Sequence, residues 1–375
     1  MSLRVKHIAL MGILGCFSHL PLLANEKAFF DLGQPPRNLS DLVQLSDRLV
    51  RLAPYTAQRT VAVRQSEGQG SGVIVSTDGR VLTAAHVIRD INRDITLTTF
   101  DGIQLKAQVL WLDTTLDTAM LKIQRDQEWP HAKLARSSNV RPGTWCIATG
   151  HPKTNAPSTS PLIRAGRILG AVKDRIATDT VLTHGDSGGP LFDMNGKLIG
   201  IHSRIGPRVA DSIHIPVELF VDRTIPPTTE SKSTNAHDAN RQERVRRFYR
   251  GAPSEIGRNH ELVRAAFIDL VSKVNQSTVR IYNAKNNMTS LGIVVDQTGH
   301  VLTKWSKLPT APLCRFGTGP LVSARFVTGD RAYDVALLKI QTTERLVPVA
   351  WKKSNRSLSP GTLLATPFGF DELPI

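Results

Sequence analysis

Gly185-Asp186-Ser187-Gly188-Gly189-Pro190 is the stretch that decides the fold and points to the chemistry. A serine hydroxyl is a weak nucleophile unless a base removes its proton and nearby donors hold the oxyanion that forms. Glycines beside Ser187 allow a tight turn in which the amides of Gly185 and Ser187 point to one spot. The stretch therefore predicts Ser187 as a nucleophile, with an oxyanion hole formed by the amides of Gly185 and Ser187.

A histidine suited to act as the base lies in Val81-Leu82-Thr83-Ala84-Ala85-His86-Val87. The β-branched residues before it and the Asp78-Gly79 pair predict a hairpin. Small residues just before His86 let a short turn present the imidazole at the surface of a barrel. The alternative interpretation of His86 is an ordinary surface histidine at the end of a strand.

The base needs a carboxylate that fixes its tautomer. Asp117 opens Asp117-Thr118-Ala119-Met120-Leu121-Lys122-Ile123, a short apolar run that predicts a buried strand. Asp113 is the competing carboxylate. We favour Asp117 because Asp334-Val335-Ala336-Leu337-Leu338-Lys339-Ile340 repeats its setting and not that of Asp113. A strand or turn cap is the alternative role for Asp117.

Together, the strings TAAH, DTAMLKI and GDSGGPLF resemble the motifs of the trypsin-like serine peptidase superfamily, and within it the HtrA (Deg) type of bacterial exported proteases. The resemblance covers about Gln58 to Asp222. It implies an all-β fold, a trypsin-like double β-barrel. It also implies His86 as general base and acid, Asp117 as its orienter and Ser187 as the residue that forms the acyl-enzyme. Such a triad needs no cofactor.

Asp186 departs from the HtrA pattern, which usually has asparagine before the serine. Aspartate is the residue of digestive-type proteases, where it pairs with a new amino terminus after zymogen cleavage. This sequence has no basic site followed by an Ile-Val-Gly-Gly start ahead of the first predicted strand. We therefore predict that Asp186 does not serve zymogen activation.

The resemblance implies that Val181, Leu182, His202 and Ser203 bind the substrate, and Asn195-Gly196 predicts a type I′ turn before the last two. Val181 stands where a trypsin has its acidic pocket floor, so the pocket is expected to favour small aliphatic residues such as Val, Ala or Ile. His202 leaves a second interpretation open, because glutamate-specific relatives use such a histidine for an acidic side chain. Leu182, which stands where those enzymes have a hydroxyl residue, and the alternation of strand side chains favour a His202 that faces away.

Residues 1–24 have the pattern of a secretory signal: basic residues at Arg4 and Lys6, an apolar run, and Leu22-Leu23-Ala24 as a cleavage site. We expect an exported protein, periplasmic or secreted. Ile13-Leu14-Gly15-Cys16 resembles a loose bacterial lipobox, so a lipid anchor on Cys16 is the less favoured alternative.

The formal net charge of +15 favours attraction to anionic envelope surfaces, polyanions or acidic substrates, or it reflects only solvated Lys and Arg. An arginine run at 241–250 lies in a polar segment, and its one aromatic pair, Phe248-Tyr249, does not make a platform for nucleic acid. We expect no specific nucleic-acid partner. Cys146 and Cys314 lie in apolar segments and are predicted to be buried, and no metal-ligand spacing is present.

The sequence repeats itself at an interval of about 218 residues. Gly79-Arg80-Val81-Leu82-Thr83 returns as Gly299-His300-Val301-Leu302-Thr303, and Pro142-Gly143-Thr144 returns as Pro360-Gly361-Thr362. The second copy has Thr303-Lys304-Trp305-Ser306 where the first has its histidine, so its chemistry is lost. Asp334 is then an orienter without a base. If the second copy forms only an open half-barrel, the edges of its outer strands would be exposed.

These patterns divide the chain into a signal peptide (1–24), a helical lead-in (25–57), a trypsin-like protease domain (58–222), a flexible basic linker (223–257) and a degenerate, truncated protease-like domain (258–375). Apolar spacing predicts helices over 42–52 and 262–274. The predicted function is an exported serine endopeptidase that acts on polypeptides. The alternative is a non-catalytic or regulatory peptide-binding scaffold. HtrA relatives are often trimers, which makes a homo-oligomer a further expectation.

Overall fold

The computed structural model describes residues 28–65, 68–135, 140–153, 160–205, 212–221, 261–350 and residue 359. The predicted signal peptide with Cys16, the linker at 223–257 with its arginine run, and the segment 360–362 lie outside the described residues. Within them, strands predominate and form three closed six-stranded barrels. The predicted all-β class is confirmed.

The first barrel contains His86 and Asp117 at its rim. Its strands are β1 (Thr60–Gln65), β2 (Gly68–Ile74), β3 (Arg80–Thr83), β4 (Ile95–Thr98), β5 (Gln104–Asp113) and β6 (Thr118–Ile123), in the order β1-β2-β3-β6-β5-β4. Gly79, at φ +85°, closes the predicted hairpin between β2 and β3. A short 3₁₀ helix, η1 (Ala85–Val87), follows β3 and places His86 outside the barrel core.

The second barrel contains the Ser187 turn. Its strands are β7 (Trp145–Gly150), β8 (Leu162–Val172), β9 (Arg175–Thr178), β10 (Pro190–Asp193), β11 (Leu198–Ile205) and β12 (Ser212–Pro216), in the order β10-β11-β12-β9-β8-β7. The prediction of a type I′ turn at Asn195-Gly196 was wrong. Gly196 has φ +76°, but Asn195 is not among the described residues with positive φ. The Asp193 carboxylate accepts hydrogen bonds from Asn195 N (2.9 Å) and Lys197 N (2.8 Å), which stabilises a longer loop.

Helix α2 (Leu39–Arg59) follows the single-turn helix α1 (Phe29–Leu32) and packs against both barrels. It begins earlier than predicted because the Asn38 side chain caps it, accepting from Asp41 N at 3.0 Å. Its apolar face, with Leu45 and Leu49, enters a cluster that also contains side chains of both barrels. The helix runs directly into β1, so the chain is continuous at the start of the first barrel.

The third barrel has the strand order of the first. After α3 (Glu218–Val221) and α4 (Glu261–Gln276) come β13 (Thr278–Tyr282), β14 (Met288–Val294), β15 (His300–Lys304), the 3₁₀ helix η2 (Trp305–Lys307), β16 (Leu313–Arg315), β17 (Val322–Asp330) and β18 (Val335–Ile340). They close in the order β13-β14-β15-β18-β17-β16 around their own apolar core. The edges that an open half-barrel would expose are therefore paired.

The two cysteines of the described residues are buried, as predicted, and they are not joined in a disulfide. Burial raises the pKa of Cys146 well above its ordinary value and that of Cys314 to about 12, so both are neutral thiols. Across the described ranges, no three His, Cys, Asp or Glu side chains are grouped as metal ligands would be. No helix in those ranges is both long and apolar enough to span a membrane.

Candidate active site

His86 and Asp117 meet at the rim of the first barrel. The imidazole Nδ1 lies 2.8 Å and 3.0 Å from the two carboxylate oxygens of Asp117, and the backbone N–H of His86 donates to Oδ1 at 3.0 Å. Asp117 has φ +59°, a left-handed conformation that aspartate tolerates better than most residues. This conformation, at the turn before β6, aims the carboxylate at η1.

The Asp117 carboxylate is held in its ionised form. It is 6% exposed, and burial alone would raise its pKa. Hydrogen bonds from the ring and backbone of His86 and from Ser203 outweigh burial and hold the pKa of Asp117 below its ordinary value. An ionised acceptor here fixes the proton of His86 on Nδ1 and leaves Nε2 as the basic nitrogen.

Asp113, the competing carboxylate, has a local role. Its Oδ1 accepts from the backbone N–H groups of Thr115 (2.8 Å) and Leu116 (3.0 Å), within the turn that connects β5 to β6. The carboxylate that reaches the His86 ring is that of Asp117.

The Ser187 turn of the second barrel lies against the first barrel close to His86. Ser187 O accepts from Ser71 N at 2.7 Å. Gly188 is so close to the strand leading to His86 that a Cβ there would collide with Thr83 Oγ1 and would lie 3.0 Å from Ala84 N. Ser187 is half-buried. Among the described residues, no hydrogen bond joins Ser187 Oγ to His86, and such bonds are often long before substrate binds.

Ser71 is a second link between the barrels, which the sequence analysis missed. Its hydroxyl donates to Gly185 O and accepts from His151 N, both at 2.8 Å. The glycine at position 70, next to Ser71, is the feature of the sequence that could have indicated this close approach. A Cβ at Gly70 would lie 2.5 Å from Val87 Cγ1 and 3.0 Å from Ser187 O. Glycine at such a position usually marks backbone that another segment approaches.

The turn around Ser187 is closed by its own backbone. Asp186 N donates to Thr183 O (3.1 Å), Gly189 N to Asp186 O (2.9 Å), and Gly188 N to His202 O (2.7 Å). Gly185 adopts φ +97°, which needs glycine. Within the described part of the chain, the amides of Gly185 and Ser187 donate no hydrogen bond.

The residues predicted to bind substrate occupy different environments. Val181 is half-buried, whereas Leu182 is 4% exposed and packs in the core of the second barrel. The Ser203 hydroxyl donates to Asp117 Oδ2 at 2.5 Å. The sequence analysis missed this link between β11 and the carboxylate of the first barrel, and the sequence offered no signal for it.

His202 is fully buried and bonded to a second histidine. Its Nδ1 lies 2.9 Å from His214 Nδ1, its Nε2 lies 3.2 Å from Thr149 O, and His214 Nε2 lies 2.8 Å from Thr178 Oγ1. A carbonyl only accepts, so His202 Nε2 carries a proton and its Nδ1 accepts from His214. Burial lowers the pKa of both histidines, that of His214 to about 3, which keeps the pair neutral.

The third barrel keeps the geometry of the carboxylate without the histidine. Asp334 has φ +55°, and its Oδ1 accepts from Ser306 N at 2.6 Å, as Asp117 accepts from His86 N. The Ser306 hydroxyl donates to Oδ2 at 3.0 Å, and Lys304 Nζ lies 3.4 Å from the same oxygen. Asp334 thus caps the turn of η2.

Residues 70–201 match the family of the trypsin-like peptidase domain. The chain is 37% identical over 164 residues to serine protease HTRA4 of Mus musculus, a match that covers 42% of this chain and 33% of the relative. It is 36% identical over 167 residues to a probable periplasmic serine endoprotease DegP-like of Pseudomonas putida (strain W619), which covers 42% and 34%. Serine protease HTRA1 of Xenopus tropicalis is 36% identical over 163 residues, which covers 41% and 34%. The matches span about a third of the length of these relatives.

Proposed function

We propose that this chain is an endopeptidase that cleaves polypeptides through Ser187, since its first two barrels are a trypsin-like serine peptidase domain of the HtrA type. One observation carries the assignment of roles. The Asp117 carboxylate is bonded both to the His86 ring of the first barrel and to Ser203 of the second. It therefore orients the imidazole at the junction where the Ser187 turn lies.

In the proposed reaction, Ser187 Oγ attacks the carbonyl carbon of the scissile peptide bond, and His86 Nε2 takes the hydroxyl proton. The tetrahedral intermediate collapses when His86 gives this proton to the leaving amine, which leaves an acyl-enzyme on Ser187. His86 then takes a proton from water, and the resulting hydroxide attacks the ester. Collapse of the second intermediate returns the proton to Ser187 and releases the new carboxyl terminus.

In both intermediates, the backbone amides of Gly185 and Ser187 are proposed to donate hydrogen bonds to the oxyanion. Two donors aimed at this oxygen stabilise the transition state more than the ground state, by about 3 kcal/mol each in comparable sites. Asp117 stays ionised and stabilises the imidazolium that forms on His86, since the hydrogen bonds that lower its pKa come from both barrels.

Cleavage after small aliphatic residues is the specificity that we propose. The half-buried Val181 adds no charge to the predicted pocket. Both ring nitrogens of His202 are engaged inside the barrel, by His214 and by Thr149 O, which disfavours a role in binding an acidic side chain. Profiling with a peptide library tests this. Cleavage after Glu that His202→Ala abolishes would overturn the proposal.

The roles of the triad are tested by labelling the purified protein with a fluorophosphonate serine probe, beside Ser187→Ala and His86→Ala. Labelling should require both residues. Turnover of a peptide substrate should fall by about 10⁶ in Ser187→Ala and about 10⁴ in Asp117→Asn. Equal activity in Ser187→Ala would end the proposal. A well-folded chain that does not react would favour the non-catalytic peptide-binding alternative, which the similarity to serine proteases does not favour.

We also propose that the chain is exported, as the DegP-like relatives with "periplasmic" in their names suggest. The predicted signal at 1–24 supports export, and mass spectrometry of the mature amino terminus distinguishes cleavage after Ala24 from lipidation of Cys16. Attraction to anionic envelope surfaces and assembly into a homo-oligomer remain proposals, for which vesicle binding and sedimentation are the direct tests.

A further inference from the structure

Asp186 is a carboxylate inside the nucleophile turn that the proposed reaction does not use. It lies between Gly185 and Ser187 and is fully buried. Its Oδ2 accepts from Thr183 N (2.7 Å) and Thr183 Oγ1 (3.1 Å). A buried carboxylate is unfavourable unless hydrogen bonds and a cation compensate for the lost water. Thr183 provides the hydrogen bonds, and Arg164 provides the cation.

Arg164 supplies the cation from the neighbouring sheet. It lies on β8, and its side chain is 17% exposed. Its Nη1 is 3.2 Å from Asp186 Oδ2, without the alignment of a hydrogen bond, so the contact is an ion pair held by charge. Because both groups are shielded from water, this attraction is screened much less than that of a surface pair.

The position of the carboxylate is also fixed by packing. A Cβ at Gly150 of β7 would come within 2.6 Å of Asp186 Oδ1. Oδ1 is buried and has no hydrogen-bond partner among the described residues. The carboxylate therefore packs directly against the backbone of Gly150. If the ion pair is lost, a swing of the carboxylate toward water breaks its bonds to Thr183.

Those bonds close the turn that presents the oxyanion donors. Asp186 N bonds back to Thr183 O, and Gly189 N bonds to Asp186 O, so the side chain and backbone of Asp186 together fix the backbone on both sides of Ser187. A turn released at Thr183 would lose the alignment of the Gly185 amide with that of Ser187.

Within the described ranges, the backbone ahead of β1 offers no chain end that could act as the cation. Helix α2 continues without a break into β1, and Val61 is fully buried within that strand, paired with Gly72. A terminus created beside Val61 would have to leave the first barrel before it could approach Asp186.

We propose that Arg164 is a positioning residue, which holds Asp186 in the turn that presents the oxyanion donors, so that the domain is competent without cleavage ahead of β1. The proposal rests on the proposed function, because it concerns the turn that carries Ser187. It predicts an effect on the rate of acylation through Asp186, with substrate binding left unchanged.

The test uses the full chain and a fluorophosphonate probe, with kcat and KM for a peptide substrate. Arg164→Met should slow labelling and lower kcat at least 10-fold with KM little changed, and Arg164→Lys should keep most of the rate. Arg164→Met combined with Asp186→Asn should recover the rate of Asp186→Asn alone, because the unpaired charge is gone. Lys173→Met, which removes an exposed cation just beyond β8, should label as the wild type does.

Unfolding midpoints check that each variant is folded and test the ion pair without reference to Ser187. The midpoint of Arg164→Met should fall, and adding Asp186→Asn should restore part of it. Normal labelling of Arg164→Met, or a double variant that labels more slowly than Asp186→Asn alone, would overturn the inference while the proposed function stands. A wild type that does not label at Ser187 would overturn both. Labelling that appears only in molecules cleaved next to Val61, judged by intact mass, would also overturn the inference.

Discussion

At the scale of single residues, Ser203 joins the two barrels at the carboxylate that orients His86. Its hydroxyl donates to Asp117 at 2.5 Å and is one cause of the lowered pKa of that carboxylate. A hydrogen bond to a charged group contributes about 1.5–3 kcal/mol. We expect Ser203→Ala to reduce kcat/KM about 10-fold or more, mostly through kcat, in steady-state peptide hydrolysis.

Ser203→Thr, which keeps the hydroxyl, should retain more activity than Ser203→Ala. Ser212→Ala is the matched control, because Ser212 is also a buried serine of this sheet but donates to a backbone carbonyl, Thr180 O. It should lower stability without the loss of kcat. Unchanged kcat in Ser203→Ala would show that the two bonds from His86 suffice to hold Asp117.

The residues of the site that could be predicted from the sequence are those that lie in short, contiguous motifs. His86 and Asp117 each follow or precede a short apolar strand, and both strands belong to one barrel. The contacts of Ser71, Ser203 and Arg164 depend on how the two barrels face each other and on register within the second. Ser71 and Gly185, for example, are 114 residues apart. Composition and periodicity carry no signal for such pairs.

At the scale of elements, α2 contributes stability to both barrels. Leu45 is fully buried in a cluster that contains Val73 of the first barrel and Phe192 of the second. Removing such a side chain leaves a cavity between several elements and costs about 2–5 kcal/mol. Leu45→Ala should lower the free energy of unfolding by this amount in urea denaturation, with little change in the slope.

Val43→Ala on the same helix is the control, since Val43 is 51% exposed. It should change the free energy of unfolding by less than about 0.5 kcal/mol. Equal, small effects of Leu45→Ala and Val43→Ala would mean that α2 is not part of the cooperative unit formed by the barrels.

The helices and strands also show where the predictions from sequence patterns were incomplete. The apolar spacing predicts a helix over 42–52, but α2 spans Leu39–Arg59 and includes Pro54. The Asn38 cap extends its start, and buried Ala53 and Thr56 anchor the last turns, so packing overrides the tendency of proline to end a helix. Closure of the third barrel was not predicted either, because it depends on pairing between β13 and β16, which are distant in sequence.

At the scale of the whole molecule, helix α4 links the third barrel to the first two. Val263 on α4 is 2% exposed and belongs to the same cluster as Leu45 of α2 and Phe220 of α3, and Phe267 packs against that cluster. Residues far along the chain thus complete the core under the first two barrels. The third barrel is held by this core, whatever further role it has.

Val263→Asp in the full chain should therefore destabilise the first two barrels, by about 3 kcal/mol, because it places an unpaired carboxylate in their shared core. Hydrogen exchange should rise in α2 and in β7, far from the substitution in sequence, while β13–β18 stay protected, since their core is separate. Ile268→Asp on the same helix is the control, because Ile268 is 41% exposed and its substitution should leave α2 protected. If Val263→Asp leaves exchange in α2 unchanged, the contact between α4 and α2 contributes nothing to the first two barrels in solution, and the third barrel is an independent unit.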